Sequence, residues 1–322
     1  MSEKKKMSKK KKIVLWSVGG GITLLIIAAC VALFFVASMI YDSSFNYRCV
    51  TPEADILEVS EFEGLKRDRH TFESNNGQKL VGYLYYNTDD SIDEKAVIVF
   101  AHGLGGGGQT GYMDVFAYLA TRGYYVFAYD ATGNDESEGD IIGGLPQGLI
   151  DLNYAVDYAQ GVEELKNLPF MLMGHSWGAL SATNALNYHP EVKAVASLAG
   201  WNESMDMIEY RGCQMVGPVA KMLIPFARIY EATKYGDYAY SSSMKGFENS
   251  ECKVLVIHSE NDDTIPISYG YGKYEEKYGN NERFTFKKYS DRGHGLFLDN
   301  TGNLDMLLMS DIADFFDSAL EK

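Results

Sequence analysis

Cysteine, histidine and proline are scarce in this chain, which has four, six and seven of them among 322 residues. The cysteines, Cys30, Cys49, Cys213 and Cys252, lack the close pairing of a zinc site and are too few for a disulfide scaffold. Cys213 and Cys252 can pair only if the fold brings them together; otherwise they are isolated small apolar residues. Basic residues are also short, 29 Lys and Arg against 44 Asp and Glu, for a net charge of −15. Residues 1–12 hold seven lysines and one glutamate, so removing their net +6 leaves −21 on the remainder. A body this acidic repels a phosphate backbone, which excludes nucleic acid as a partner. No internal repeat and no low-complexity tract appears beyond the basic start.

What the chain does have is apolar residues, 46% of the total, enough for one large α/β core plus a terminal segment. Residues 13–40, "IVLWSVGGGITLLIIAACVALFFVASMI", carry no charge. As a helix at about 1.5 Å per residue they extend about 42 Å, against a hydrocarbon core of about 30 Å. A single-pass anchor is therefore expected, following a basic tail at 1–12. Lysines before the run and Asp42, Glu53, Asp55 and Glu58 after it place the N-terminus in the cytoplasm and the body outside the cell membrane. A cleaved signal peptide shares this signature, and "IAAC" at 27–30 resembles a lipoprotein box with Cys30 as its lipidated residue. The run continues for ten residues beyond Cys30 and exceeds the usual signal core, which favours an uncleaved anchor.

Residues 41–69 are mixed and acidic and read as a stalk or a loose first layer. From residue 70, "HTFES" and "KLVGYLYYN" alternate around "NNG" as an antiparallel hairpin. "AVIVFAHG" then reads as a strand buried on both faces. Further strands are expected at 125–129, 170–173, 195–198, 254–258 and 284–289, with helices at 112–122, 149–160, 179–188, 267–278 and 304–320. This alternation predicts a mostly parallel twisted sheet with helices on both faces, one domain over 70–322. The stretch 201–253 is too long for an ordinary connection and is rich in Met, Tyr and Phe, including "MVGPVAKMLIPFARIY". It is expected to form a helical lid over the strand ends; the plainer alternative is an insertion packed on the sheet edge.

The chemistry concentrates in four short stretches. In "PFMLMGHSWGALSATNAL" a strand runs into Gly174, His175, Ser176, Trp177 and Gly178 and out into a helix. Such a turn strains the serine backbone and exposes its hydroxyl at a helix N-terminus, where negative charge is favoured. A nucleophile needs a base, and among six histidines His294, in "YSDRGHGLF", sits in a glycine-flanked loop just after a strand. The base needs an acid, which "VLVIHSENDDTIPI" supplies as Asp262 or Asp263. Oxyanion donors come from "VFAHGLGGGG", through the backbone N–H of Leu104 and that of Trp177, whose indole is also expected to shape an acyl pocket. The glycine run lacks the Gly-Lys-Ser/Thr ending of a phosphate loop and the spacing of a dinucleotide fingerprint, so no cofactor and no metal is expected.

From about residue 70 to its end the chain resembles the α/β-hydrolase superfamily. The likeness rests on "HGLGG", "GHSWG", "HSENDD-TIP" and "GHG" in the family order, with "YDATGNDESEG" at 129–139 resembling a further family segment. The resemblance implies the α/β-hydrolase fold and a Ser176–His294–Asp262 triad, with Asp262 chosen by the H-G-x-x-D pattern, from which Ser259 departs where glycine is usual. The nearest subgroup resembles lid-bearing serine aminopeptidases, monoacylglycerol lipases and lysophospholipase-like hydrolases. The expected function is a membrane-anchored serine hydrolase that cleaves carboxylic esters of apolar or lipid-like acyl groups. A peptidase on the same triad is the first rival, since Glu203, Asp206 and Glu209 in the lid offer carboxylates for an amino group. An acyltransferase and a noncatalytic binding protein are the others.

Overall fold

The computed structural model describes residues 9–105, 108–299 and 301–321. Helix α1, Lys9–Phe45, is continuous, and most of its apolar length is exposed. It is long and apolar enough to cross a membrane, a property that a signal sequence shares. It runs five residues past the C-terminal end of the charge-free stretch, where Tyr41 and Phe45 are buried against the body.

Strands β1 (Leu65–Glu73), β2 (Lys79–Asn87) and β3 (Ala96–Ala101) follow, then α2 (Met113–Thr121), β4 (Tyr124–Tyr129), α3 (Leu145–Gln160), β5 (Phe170–His175), α4 (Trp177–Ala185) and β6 (Ala194–Leu198). The expected insertion is helical: α5 (Ser204–Val216), α6 (Ile224–Tyr235) and α7 (Ser243–Asn249), joined by short 3₁₀ turns. The chain then closes with β7 (Lys253–Ser259), α8 (Tyr271–Tyr278), β8 (Phe284–Tyr289) and α9 (Met306–Leu320).

Among the described residues, eight strands form one sheet in the order β1-β2-β4-β3-β5-β6-β7-β8. β1 and β2 are antiparallel to each other, β2 is antiparallel to β4, and every later pairing is parallel. The continuous apolar runs have a direct cause in this arrangement, because side chains alternate between two buried faces. Val97, Val99 and Leu172 pack into the core under α3 and α4, whereas Ile98, Phe100, Met171 and Met173 pack into the core under α2 and α9.

The segment read as a stalk is stitched to the body. Arg48 donates to the carbonyls of Ser137 and Gly139 at 2.7 and 2.6 Å, and Cys49 exchanges backbone hydrogen bonds with Gly133 and Asp135. β1 begins at Leu65, five residues before the expected hairpin, so the last part of that segment enters the sheet. These bonds join residues about 90 positions apart and leave no local periodicity to read. Cys213 and Cys252 are both free thiols, so they do not pair with each other.

The central strand β5 feeds the turn at Ser176, so its packing sets that position. Leu172 is fully buried. Leu172→Ala is expected to lower unfolding free energy by about 2–5 kcal/mol through the lost burial and the cavity. A lower denaturant midpoint with an unchanged slope is the signature, and an unmoved midpoint contradicts the packing.

Candidate active site

Ser176 occupies the single-residue turn between β5 and α4 with φ 56° and ψ −118°, a left-handed region that non-glycine residues seldom enter. Two glycines make the turn possible. A Cβ on Gly174 would overlap the carbonyl of Gly178, and a Cβ on Gly178 would overlap the carbonyl of Ala101 at the end of β3. The strained serine is held by its own amide, which donates to Leu198 at 2.8 Å.

His294 lies in the loop between β8 and α9, and its imidazole joins two other loops. Nδ1 is 2.8 Å from Asp262 Oδ2 and Nε2 is 2.9 Å from Ser176 Oγ. A carboxylate only accepts, so Nδ1–H donates to Asp262 and Nε2 is left to accept the serine proton. The Asp262 side chain is buried, and its other oxygen accepts the Thr264 and Ile265 amides at 2.9 and 2.8 Å. Burial alone would raise the Asp262 pKa; hydrogen bonds from His258, His294 and the Ile265 amide outweigh it and hold the carboxyl well below its ordinary value. Asp263 is exposed, and its side chain meets only Thr264 Oγ1, at 3.3 Å, among the described residues.

Three further residues around this chain were not singled out by sequence. His258, at the end of β7, is fully buried, and its Nε2 lies 3.0 Å from the Ile265 carbonyl and 3.2 Å from Asp262 Oδ2. Asp262 is thus flanked by two imidazoles. His175 Nε2 donates to the His294 carbonyl at 2.9 Å, and its Nδ1 accepts from Tyr112 at 3.0 Å. Tyr112 in turn accepts the Gly103 amide at 3.2 Å, so a continuous relay links the glycine-rich loop to the backbone of His294. Burial, then the nearby His294, pushes His175 down to about 4, and burial pushes the Tyr112 phenol up to about 12. Both links are neutral near pH 7. Their spacing, 63 and 119 residues, hides them from motif reading.

The 102–105 turn lies against the serine, since a Cβ on Gly103 would sit 3.5 Å from Ser176 Cβ. His102 fixes the turn from behind: Nε2 accepts the Ala131 amide at 3.0 Å and Nδ1 donates to the Gly103 carbonyl at 2.8 Å. Leu104 is half-buried on this turn. Trp177 is the first residue of α4, so its amide has no acceptor in the preceding helical turn. The expected role of its indole is corrected by the structure: the ring is 1% exposed, packs against Gly148 of α3 and donates to the Leu145 carbonyl at 2.8 Å. It braces α3 against α4.

The insertion borders this site. Arg211 of α5 donates to the Thr264 carbonyl in the acid loop at 3.2 Å, and Ser243 of α7 meets Thr183 of α4 at 2.6 Å. Three of its carboxylates are already matched with cations: Glu203 with Arg228 at 2.9 Å, Asp206 with Lys273 at 2.8 Å and Glu209 with Lys221 at 2.8 Å.

Comparison with known proteins agrees with the architecture. Residues 92–245 match the family model described as serine aminopeptidase, S33. An esterase of Pyrococcus furiosus superposes with a TM-score of 0.64 at 16% identity, covering 86% of this chain and 100% of its own. Acylaminoacyl peptidase of Pyrococcus horikoshii gives 0.62 at 17% identity over 82% of this chain, which spans 43% of that larger protein. An acetyl xylan esterase from Paenibacillus sp. R4 gives 0.60 at 15% identity, over 82% and 87% of the two chains. No curated protein matches.

Two outcomes test the geometry. Asp262→Asn is expected to lower kcat by about 10³–10⁴-fold through loss of the correct imidazole tautomer, while Asp263→Asn stays within about twofold of wild type; a larger loss in Asp263→Asn reverses the assignment. Because the folded Asp262 pKa is depressed, its stabilising contribution is full above the unfolded value of about 3.9 and is lost as pH falls through the folded value. The stability gap between wild type and Asp262→Asn is therefore full at neutral pH and narrows below about pH 4, as measured by denaturant unfolding. A gap that persists there contradicts the depressed carboxyl.

Proposed function

We propose that this chain is a membrane-anchored serine esterase of the α/β-hydrolase superfamily, with Ser176, His294 and Asp262 as its catalytic triad. The observation that carries this reading is the imidazole of His294, bonded on one side to the Ser176 hydroxyl and on the other to a carboxylate that is buried and held ionised.

In the proposed reaction His294 Nε2 takes the hydroxyl proton as Ser176 Oγ attacks the acyl carbon. The carbonyl π electrons move to oxygen, and the Leu104 and Trp177 amides hold the resulting oxyanion. Collapse of the tetrahedral adduct breaks the ester C–O bond, and the imidazolium returns its proton to the departing alkoxide. Water then attacks the acyl-serine, giving its proton to His294, and collapse releases the acid and restores the hydroxyl. Asp262 stays ionised throughout and stabilises the imidazolium.

Three further observations support the finer parts of the proposal. The charge-free run within α1, with lysines before it and acidic residues after it, supports a single-pass anchor with the catalytic body outside the cell. The apolar composition of the 201–253 insertion beside the acid loop supports its acting as a lid over an apolar acyl group. Ester is favoured over peptide because a pocket for a free amino terminus needs an unmatched carboxylate, and Glu203, Asp206 and Glu209 are each paired with a cation. The family model described as serine aminopeptidase favours the peptidase as the second reading.

The full chain in detergent tests both. A fluorophosphonate is expected to label wild type and not Ser176→Ala, with hydrolysis falling about 10⁴–10⁶-fold in the variant. Equal labelling of the two removes Ser176 as nucleophile. In a panel of p-nitrophenyl esters of graded chain length beside aminoacyl anilides, ester turnover is expected to dominate; turnover of anilides alone selects the peptidase.

A further inference from the structure

α1 is built into the insertion as well as joined to the body. Tyr41 donates from α1 to Glu231 of α6 at 2.7 Å, and Glu231, fully buried, also accepts from Ser204 of α5 at 2.5 Å. Asp42 pairs with Lys234 at 3.0 Å. The Tyr230 ring lies edge-on to both Phe34, at 6.0 Å, and Tyr41, at 5.7 Å. Ala37 and Ser38 are buried in the same seam. Burial, opposed by hydrogen bonds from Ser204 and Tyr41, pushes Glu231 up to about 7.

The register of this seam gives the insertion a direction. Lys234 and the Tyr230 hydroxyl both meet Asp42, just beyond the charge-free run, and the ring of Tyr230, one turn earlier in α6, also lies against Phe34 within it. Residues before Tyr230 therefore lie toward the end of α1 that enters the apolar phase. Those residues are unusually apolar and uncovered. Met215, Val216, Val219, Met222 and Ile229 are 80%, 59%, 58%, 61% and 51% exposed. Across 215–229 the only charged residues are Lys221 and Arg228, both already paired.

We infer that this tip, from the end of α5 to the middle of α6, is seated in the outer face of the same bilayer that α1 spans, so that the insertion is a second, interfacial membrane contact. The patch is continuous with the α1–α6 seam and lies on its membrane side, and an apolar surface left uncovered there finds acyl chains as its neighbour. Lys221, at the tip's edge, has a stem long enough to keep its ammonium at the headgroups while neighbouring methionine and valine side chains enter. The inference rests on the anchor reading of α1, and it adds that the catalytic body is held at a fixed tilt, with the insertion against the lipid rather than swinging on a tether.

The test uses the full chain in phosphatidylcholine vesicles. An environment-sensitive fluorescent amino acid is placed singly at Val219, at Met222, at Ile26 within the apolar run and at Asp90 in an exposed acidic loop, and soluble-ester hydrolysis reports that each variant is folded. Blue-shifted emission, quenched severalfold by lipids that carry a spin label high on the acyl chain, is expected at Val219, Met222 and Ile26 and not at Asp90. Quenching at Ile26 with water-like emission at Val219 and Met222 overturns the inference and leaves the anchor standing; no quenching at Ile26 overturns both. A blue shift at Val219 that ignores the lipid quencher but grows with protein density assigns the patch to a second copy of the chain and also overturns it.

Discussion

The site depends on how closely three stretches of backbone approach at the carboxyl ends of β3 and β5. Gly178 lies against the Ala101 carbonyl with no room for a side-chain carbon, and Gly174 is similarly pressed on Gly178. That contact forces the chain to turn within one residue, which puts Ser176 at φ 56°. A strained backbone persists only where its surroundings over-determine it, and here two parallel neighbours and the first turn of α4 do so. The sheet therefore acts as a jig, with the hydroxyl, the 102–105 turn and the head of α4 all set from one crossing.

The loops that bring the other groups are held to each other more than to the sheet. Ser259 accepts the Arg292 amide at 3.0 Å and donates to Asn261 at 2.7 Å, and Asn261 accepts the Gly293 amide at 2.7 Å. Arg292 is further tied to Asp305, at the head of α9, by a largely buried ion pair at 2.7 Å. The loop carrying Asp262 and the loop carrying His294 thus form one unit. Ser259, the departure from the glycine usual in the superfamily pattern, joins them together with Asn261, through a hydroxyl that glycine does not have. On the far side, Tyr112 and His175 bond the glycine-rich loop to the backbone of His294, and both are neutral near pH 7, so the linkage keeps its charge state there.

Much of this was legible from local pattern. Strand ends were read within two residues wherever an apolar run met a glycine, since a strand buried on both faces has few ways to be written. Ser176, Asp262 and His294 stood out because each sits in a short loop directly after a strand, and the structure brings those three loops together. What escaped reading was long-range. His258 looked like the last residue of a strand, and only the fold shows its imidazole on Asp262. The stretch after α1 looked loose because its order comes from carbonyls of a distant loop, which accept from Arg48 whatever their own side chains are. Trp177 misled in the other direction: a large ring beside a nucleophile invites a pocket role, but the helical direction of its side chain carries it under α3.

The Tyr41–Glu231 bond sets where this protein can be divided. An anchor followed by a slack linker can be trimmed anywhere along the linker, and the released domain does not notice. Here the final turns of α1 fill a seam of the body, and Tyr41 satisfies a carboxyl that no water reaches. A cut before Phe34 leaves the seam intact; a cut after Phe45 strips it and leaves Glu231 with Ser204 alone. Helix α1 is in this sense a shared part, since Ala37, Ser38, Tyr41 and Phe45 in its last turns are buried against the body, and any shortened form of this protein has to keep them.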